Sequence, residues 1–273
     1  MKSLHALLPA SAVATLAILS ASLPVTAATV VPKGFSAEQL QLALDSAETK
    51  GAALFRHERA ASIALAHVMK LREFKGDKRV TGWVTEEKDA DMLVTFIGGR
   101  EGEQPLALYR VTVGEKGKVA SALRLKAPET LTDYESGATA ARRLALSSGY
   151  ESCSEKYHAV AIPTETGADR TWAVFLLPGA TKPNAVPLGG THRVDTDWYA
   201  ENVLAKRAYS RSCAAIEYDN TAAALYVTHP LDPLPTEAHV FWSLWANKPL
   251  IVNTSADDLM WAIEAGQIRQ LDN

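Results

Sequence analysis

HPLDPLPTEAHVFWSLWANKPLIVNT, residues 229–254, is the stretch on which the reading of this chain turns. Pro230, Pro233 and Pro235 stiffen its first third, and proline can neither donate to a strand ladder nor continue a helix. An almost uninterrupted apolar run, 238–246, follows, and a second one, 249–254, closes the segment. The run 238–246 reads as a core strand fed by a proline-stiffened turn, and since both its faces are apolar beyond the first residues it is expected to be buried on both sides. Side chains alternate along a strand, so Glu237, His239, Phe241, Ser243 and Trp245 would share one face. Glu237 and His239 would then stand together at its rim.

The C-terminal half around this stretch reads as β-rich. Strands are expected at 157–163, 171–179, 191–197, 202–210, 223–229, 238–246, 249–254, 259–265 and 267–271, separated by Pro, Gly, Asn and Asp turns. Ala265-Gly266 marks a tight hairpin between the last two. Upstream, four short β-rich runs at 79–87, 90–99, 105–113 and 118–126 form an antiparallel meander. Ser36 with Gln39 is a capping box opening a helix that Gly51 should end. A second helix is expected over 56–72 and a third over 131–148, capped at Thr132 or Asp133. No parallel βαβ alternation is visible. The fold class is therefore α+β. N-terminal helices and a four-strand antiparallel meander precede a β-rich, disulfide-bridged C-terminal half, with a seam near 150 dividing 28–150 from 151–273.

Residues 1–27 have the form of a secretory signal peptide. Lys2 precedes an apolar stretch that ends in Val25-Thr26-Ala27, small residues suited to cleavage. The other reading, a membrane anchor, fits poorly, because Pro9, Pro24 and several hydroxyl residues interrupt the stretch. No later run reaches the roughly 18 apolar residues of a spanning helix. The expected location is the periplasm or the extracellular space, with no membrane span after signal cleavage. Cys153 and Cys213, the two cysteines of the chain, are expected to pair there. The net charge of −3 and the absence of a concentrated basic patch argue against a nucleic-acid partner.

Candidate chemistry gathers around three segments. Gly189-Gly190-Thr191-His192-Arg193 places an imidazole and a guanidinium after a glycine pair that permits a tight turn or a close approach. Such an Arg can hold an anion while the His moves a proton. His192, Arg193, Glu237 and His239 are the candidate catalytic residues. His192, His229, Glu237 and His239 supply three imidazoles and a carboxylate, a donor set suited to zinc. The plainer alternative is an exposed basic pair at a strand start and a rim carboxylate that merely orients a histidine. HERAA (57–61) lacks the second histidine of HExxH. Trp172, Trp242 and Trp261 lie inside apolar runs and read as core. Trp198 and Tyr199, in DTDWYAEN, read as a contact surface.

Two resemblances follow from these motifs. The alternation HP…PTExH is similar to the MPN/JAMM-type metalloprotease pattern HxHP…SxxD. His229-Pro230 would match its second His and Pro, Thr236 its Ser and His239 its Asp. Val227 stands where that pattern has its first His, and no upstream catalytic Glu can be placed, which implies an inactive relative. The paired cysteines, TWAVFLLPGAT, GGTHR and PTEAHVFWSLWANKPLIVNT together resemble a set of secreted bacterial proteins to which no activity is attached. That resemblance implies secretion and a similar fold.

Two functional readings stand side by side, so enzyme status is open. The favoured one is a non-enzymatic secreted or periplasmic binding protein for a peptide, glycan or envelope protein, needing no cofactor, because no nucleophile, base and orienting group converge at readable spacing. The alternative is a hydrolase, with zinc as its possible metal or as a degenerate MPN/JAMM-type relative, built on His192, Glu237 and His239.

Overall fold

The computed structural model describes residues 30–99, 103–166, 169–179, 182, 184–219, 221–254 and 259–271. The expected signal peptide lies outside the described residues. The first element among the described residues is α1 (Ala37–Val68), a 32-residue helix. Its N-cap is the expected one: the Ser36 hydroxyl accepts from the Gln39 N–H, and the Gln39 side chain accepts from the Ser36 N–H. The short α2 (Arg72–Gly76) follows.

Gly51 does not end the helix, so the two helices expected on either side of it are one. The reason is tertiary. A Cβ at Gly51 would lie 2.5 Å from Val240 Cβ and 2.7 Å from the Glu237 carbonyl oxygen. The glycine admits a second helix against its backbone, and that contact outweighs glycine's weak helix propensity of about 1 kcal/mol.

That second helix is the decisive segment. Residues 237–246 are not a strand but α4 (Glu237–Ala246). Thr236 stands before it in extended conformation, and His239 occupies the N3 position of its capping box. Asn247 ends it in the left-handed region, φ 51°, with its N–H on the Leu244 and Ser243 carbonyls. Glu237 through Ser243 are all buried. A helix apolar all round is a core helix, and such a run carries no 3.6-residue stripe to give it away.

The meander is as expected: β1 (Val80–Lys88), β2 (Asp91–Gly98), β3 (Leu106–Val113) and β4 (Val119–Thr130) pair antiparallel in sequence order. Next comes α3 (Asp133–Ser147), capped by Thr132. A second sheet takes the order β5 (Tyr157–Thr166), β6 (Asp169–Pro178), β8 (His192–Asp197), β9 (Val203–Ala208), all antiparallel. The two-residue strands β7 (Ala185–Val186) and β10 (Ile216–Glu217) pair with each other.

The last sheet holds β11 (Leu225–His229), β12 (Leu250–Thr254), β13 (Leu259–Glu264) and β14 (Gln267–Gln270) in that order. β11 and β12 are parallel. With α4 as the crossover they form a βαβ unit, which corrects the expectation that none exists. Parallel neighbours need such a crossover, so reading 238–246 as a strand hid both features. The β13–β14 hairpin turns on Ala265 and Gly266, both at positive φ as expected.

Packing ties these layers together. One apolar cluster joins the N-terminal half of α1 to β6, α4, β12 and β13 through Leu54, Phe175, Phe241, Val252 and Trp261. Another sets the alanine face of α3 on β5 and β6 around Trp172. A third packs the C-terminal half of α1 on β2 and β3. Residue 150 falls between α3 and β5, and the first two clusters draw on residues from both sides of it. Trp172, Trp242 and Trp261 are core residues, as expected.

Candidate functional site

The structure sorts the candidate residues by strand geometry. His192 and Arg193 are neighbours on β8, so their side chains leave opposite faces of the sheet. His192 points toward the disulfide end. Its ring is sandwiched near Tyr150 and Tyr157, and its Nε2 bonds the Glu151 carbonyl at 2.9 Å. Cys153 and Cys213 are bonded beside it. Gly190, at φ +86°, lets the backbone pass this bridge: a Cβ there would lie 2.5 Å from Cys153 Cβ. The glycine pair of GGTHR thus serves a close approach.

Arg193 leaves the other face and meets α4. Its Nε donates to Asp195 at 2.7 Å and its Nη1 to Glu237 at 3.2 Å. The buried Tyr209 hydroxyl donates to the same Glu237 oxygen at 2.6 Å. Burial by itself would raise the Glu237 pKa, but the Tyr209 hydroxyl, its own backbone N–H and the two arginines bring it below the usual carboxylate value. Burial, and then the Glu237 charge, push the Tyr209 phenol well above its ordinary value. Glu237 is therefore an ionised structural anchor, linking α4 to β8 and to the segment after β9.

His239 goes elsewhere. Two residues on an α-helix diverge by about 200°, so Glu237 and His239 do not share a rim. The His239 Nδ1 accepts the Thr236 N–H at 3.1 Å and bonds the Thr236 hydroxyl at 2.9 Å. Nε2 must then carry the proton. It is buried, with no hydrogen-bond partner among the described residues. The ring meets His229 edge-on at 4.5 Å. His229 in turn bonds Asp232 at 2.7 Å, and Arg207 bonds the same Asp232 oxygen at 2.8 Å. The proline-rich loop is thus the support for a polar chain, Arg207–Asp232–His229, that runs from the part-exposed Arg207 inward to the buried His229 beside His239.

The set His192, Glu237 and His239 is accordingly not brought together, nor is the fourfold set with His229. Arg193 with Glu237, and His229 with His239, are the pairs that form. Among the described residues no group of three or more His, Cys, Asp or Glu side chains is placed to hold a metal. Arg207, Tyr209 and Asp232 are site residues that sequence reasoning missed. KRAYS and HPLD carry them without a motif, and only the β8–β9–α4 packing joins them.

Complete burial holds the His239 pKa down at about 3, helped by the neighbouring His229. The sign of the pH effect follows. The unfolded chain binds a proton at this histidine below about 6.5, and the folded protein does not. Stability is full above that value and falls as pH drops toward 3. His158, paired with Glu58 at 2.7 Å, has a raised pKa, chiefly from that bond. Its contribution is fully present below 6.5 and does not oppose this trend. Between pH 6.5 and 5.0 the unfolding free energy should drop by about 1.5 kcal/mol from His239 alone. His239→Gln keeps an N3 capping side chain and should remove that slope. Urea unfolding at both pH values checks it; an unchanged slope in the variant would contradict the assignment.

At the Asp197 end of the second sheet, the two rings expected to form a contact surface are differently disposed. Trp198 stacks on Trp172, with centroids 4.6 Å apart, and Arg170 covers its outer face at 4.0 Å. Tyr199 is the ring left open, 79% exposed. Arg170, Trp198 and Tyr199 border a pocket of about 670 Å³ that also takes in Asp169, Arg193, Asp195, Asp197 and Leu204. The Asp197 carboxylate is held by the Glu201 and Asn202 N–H groups, which shapes the turn carrying Tyr199. No protein-family model matches the chain, and no curated protein matches it.

Proposed function

We propose that this is a non-enzymatic binding protein of the cell envelope or exterior, and that the Trp198–Tyr199 pocket takes a glycan. The observation that carries this reading is the exposed Tyr199 ring at the edge of a 670 Å³ pocket with guanidinium and carboxylate groups around it. An open aromatic face suits the apolar face of a sugar ring, and a few convergent polar groups fix orientation. Guanidiniums donate only and carboxylates accept only, so a ligand that both donates and accepts, as hydroxyl groups do, suits the mixture. The disulfide, and the lack of any described helix long and apolar enough to cross a membrane, are compatible with that setting. The hydrolase reading gains nothing from the geometry, because its three residues point to three different surroundings.

The test is titration with soluble N-acetylglucosamine oligosaccharides, read by tryptophan fluorescence, since Trp198 lies under the pocket. Tyr199→Ala should weaken binding about tenfold or more, at ~1.4 kcal/mol. No response to any oligosaccharide, with a response to unstructured peptides instead, would replace the glycan by a peptide partner. No response to either would remove the reading.

A further inference from the structure

Behind Arg193, on the α4 side, lies a smaller cavity of about 280 Å³. It opens where α1, the start of α4 and the proline-rich loop meet. Lys50, Arg193 and Arg207 line it, with Asp232 and Glu237 as the acids and Phe35 and Leu234 among its apolar walls. From these features we infer a binding site for a monoanionic carboxylate with a short apolar body.

Charge sets the sign. Three cations face two carboxylates in the lining, and the N-terminal end of α4, a ten-residue helix, adds a partial positive charge. Asp195, outside the lining, also pairs with Arg193, so the surplus stays at one or below, which suits a carboxylate better than a dianion. Donor capacity points the same way. A guanidinium has five N–H donors. Arg207 spends Nη2 on Asp232, and Arg193 spends Nε and Nη1 on Asp195 and Glu237. Both guanidiniums lie over aromatic rings, Arg207 over Tyr209 at 4.7 Å and Arg193 over Phe175 at 5.7 Å. They are therefore held in place before a ligand arrives, and little ordering is needed on binding. Phe35 and Leu234 give the ligand's body an apolar surface.

Such a carboxylate belongs either to a small organic acid or to the end of a peptide chain. The full chain is titrated with butyrate, N-acetyl-leucine and N-acetyl-leucinamide, followed by NMR shifts of backbone amides around the cavity. At least one acid should bind and the amide should not. Binding of N-acetyl-leucine alone identifies a chain terminus; binding of both acids identifies small organic acids. Lys50→Gln and Arg207→Gln should each weaken the acid about tenfold, while Tyr199→Ala, outside this cavity, leaves it unchanged. That last variant separates this site from the glycan pocket. The inference is overturned if neither acid binds at ~20 mM, well below the affinity any specific pocket should reach. It is also overturned if the amide binds equally well, or if both charge variants retain full affinity.

Discussion

Replacing Cys153 and Cys213 together by serine is expected to lower the unfolding free energy by about 4 kcal/mol, the loop-closure value for a 60-residue separation. The bridge ties the strap before β5 to the segment after β9, across the whole second sheet. Its surroundings are built to its shape. Gly190 passes the Cys153 side chain with no room for a Cβ, and the Tyr157 hydroxyl accepts the Cys153 N–H at 3.0 Å while donating to the Gly190 carbonyl at 3.0 Å. The native state therefore holds the two thiol positions together without the bond, and the loss should appear mainly as entropy regained by the unfolded chain. Guanidinium unfolding of the oxidised protein and the double variant measures it. A difference under about 1 kcal/mol would mean that the unfolded chain is already compact across this segment.

Gly51→Leu should cost about 3 kcal/mol, the upper range for overpacking a filled core. Its first added carbon would meet Val240 Cβ at 2.5 Å and the Glu237 carbonyl at 2.7 Å, one of them backbone that cannot rotate away. Gly51→Ala makes the argument sharper. On propensity alone alanine should stabilise α1 by about 1 kcal/mol, so a net loss in that variant isolates the helix–helix contact. Thermal or urea unfolding of both variants decides. A stabilised Gly51→Ala would show that α4 can retreat from α1 at little expense. Displacing α4 also moves Glu237 away from Arg193 and Tyr209, so both carboxylate and glycan titrations on these variants should weaken together.

Where side-chain pattern and local chemistry agree, the sequence was readable. The meander's runs are rich in β-branched and aromatic residues, its turns are polar, and all four strands stand where the runs lie. Ser36 and Thr132 cap the helices they were expected to cap, and Ala265-Gly266 makes its hairpin. The cysteine pairing was expected from the even count and the likeness of residues 1–27 to a signal peptide, and the core tryptophans from the apolar runs that hold them. Around α4 the pattern fails for a definite reason. A helix buried on every side has no polar face, so periodicity vanishes, and aromatic content then misleads. The Thr236 cap and the Asn247-Lys248-Pro249 stop were the local signals available there.

The candidate site divides along the same line. That Arg193, Glu237, His229 and His239 carry unusual chemistry for their surroundings could be read from residue type and neighbourhood. Their partners could not. His192 and Arg193 part company because adjacent residues on a strand face opposite ways, and Glu237 and His239 part because their segment is helical. Arg207, Tyr209 and Asp232 join the network only through the pairing of β8 with β9 and the docking of α4. The sequence by itself determined the short-range features: caps, turns, β-rich runs and the likeness of residues 1–27 to a signal peptide, each written within a few residues. The tertiary structure alone decided the continuity of α1 through Gly51, the βαβ crossover and the grouping of charges. Each of these depends on contacts between segments far apart in the chain, whose energies no local window contains.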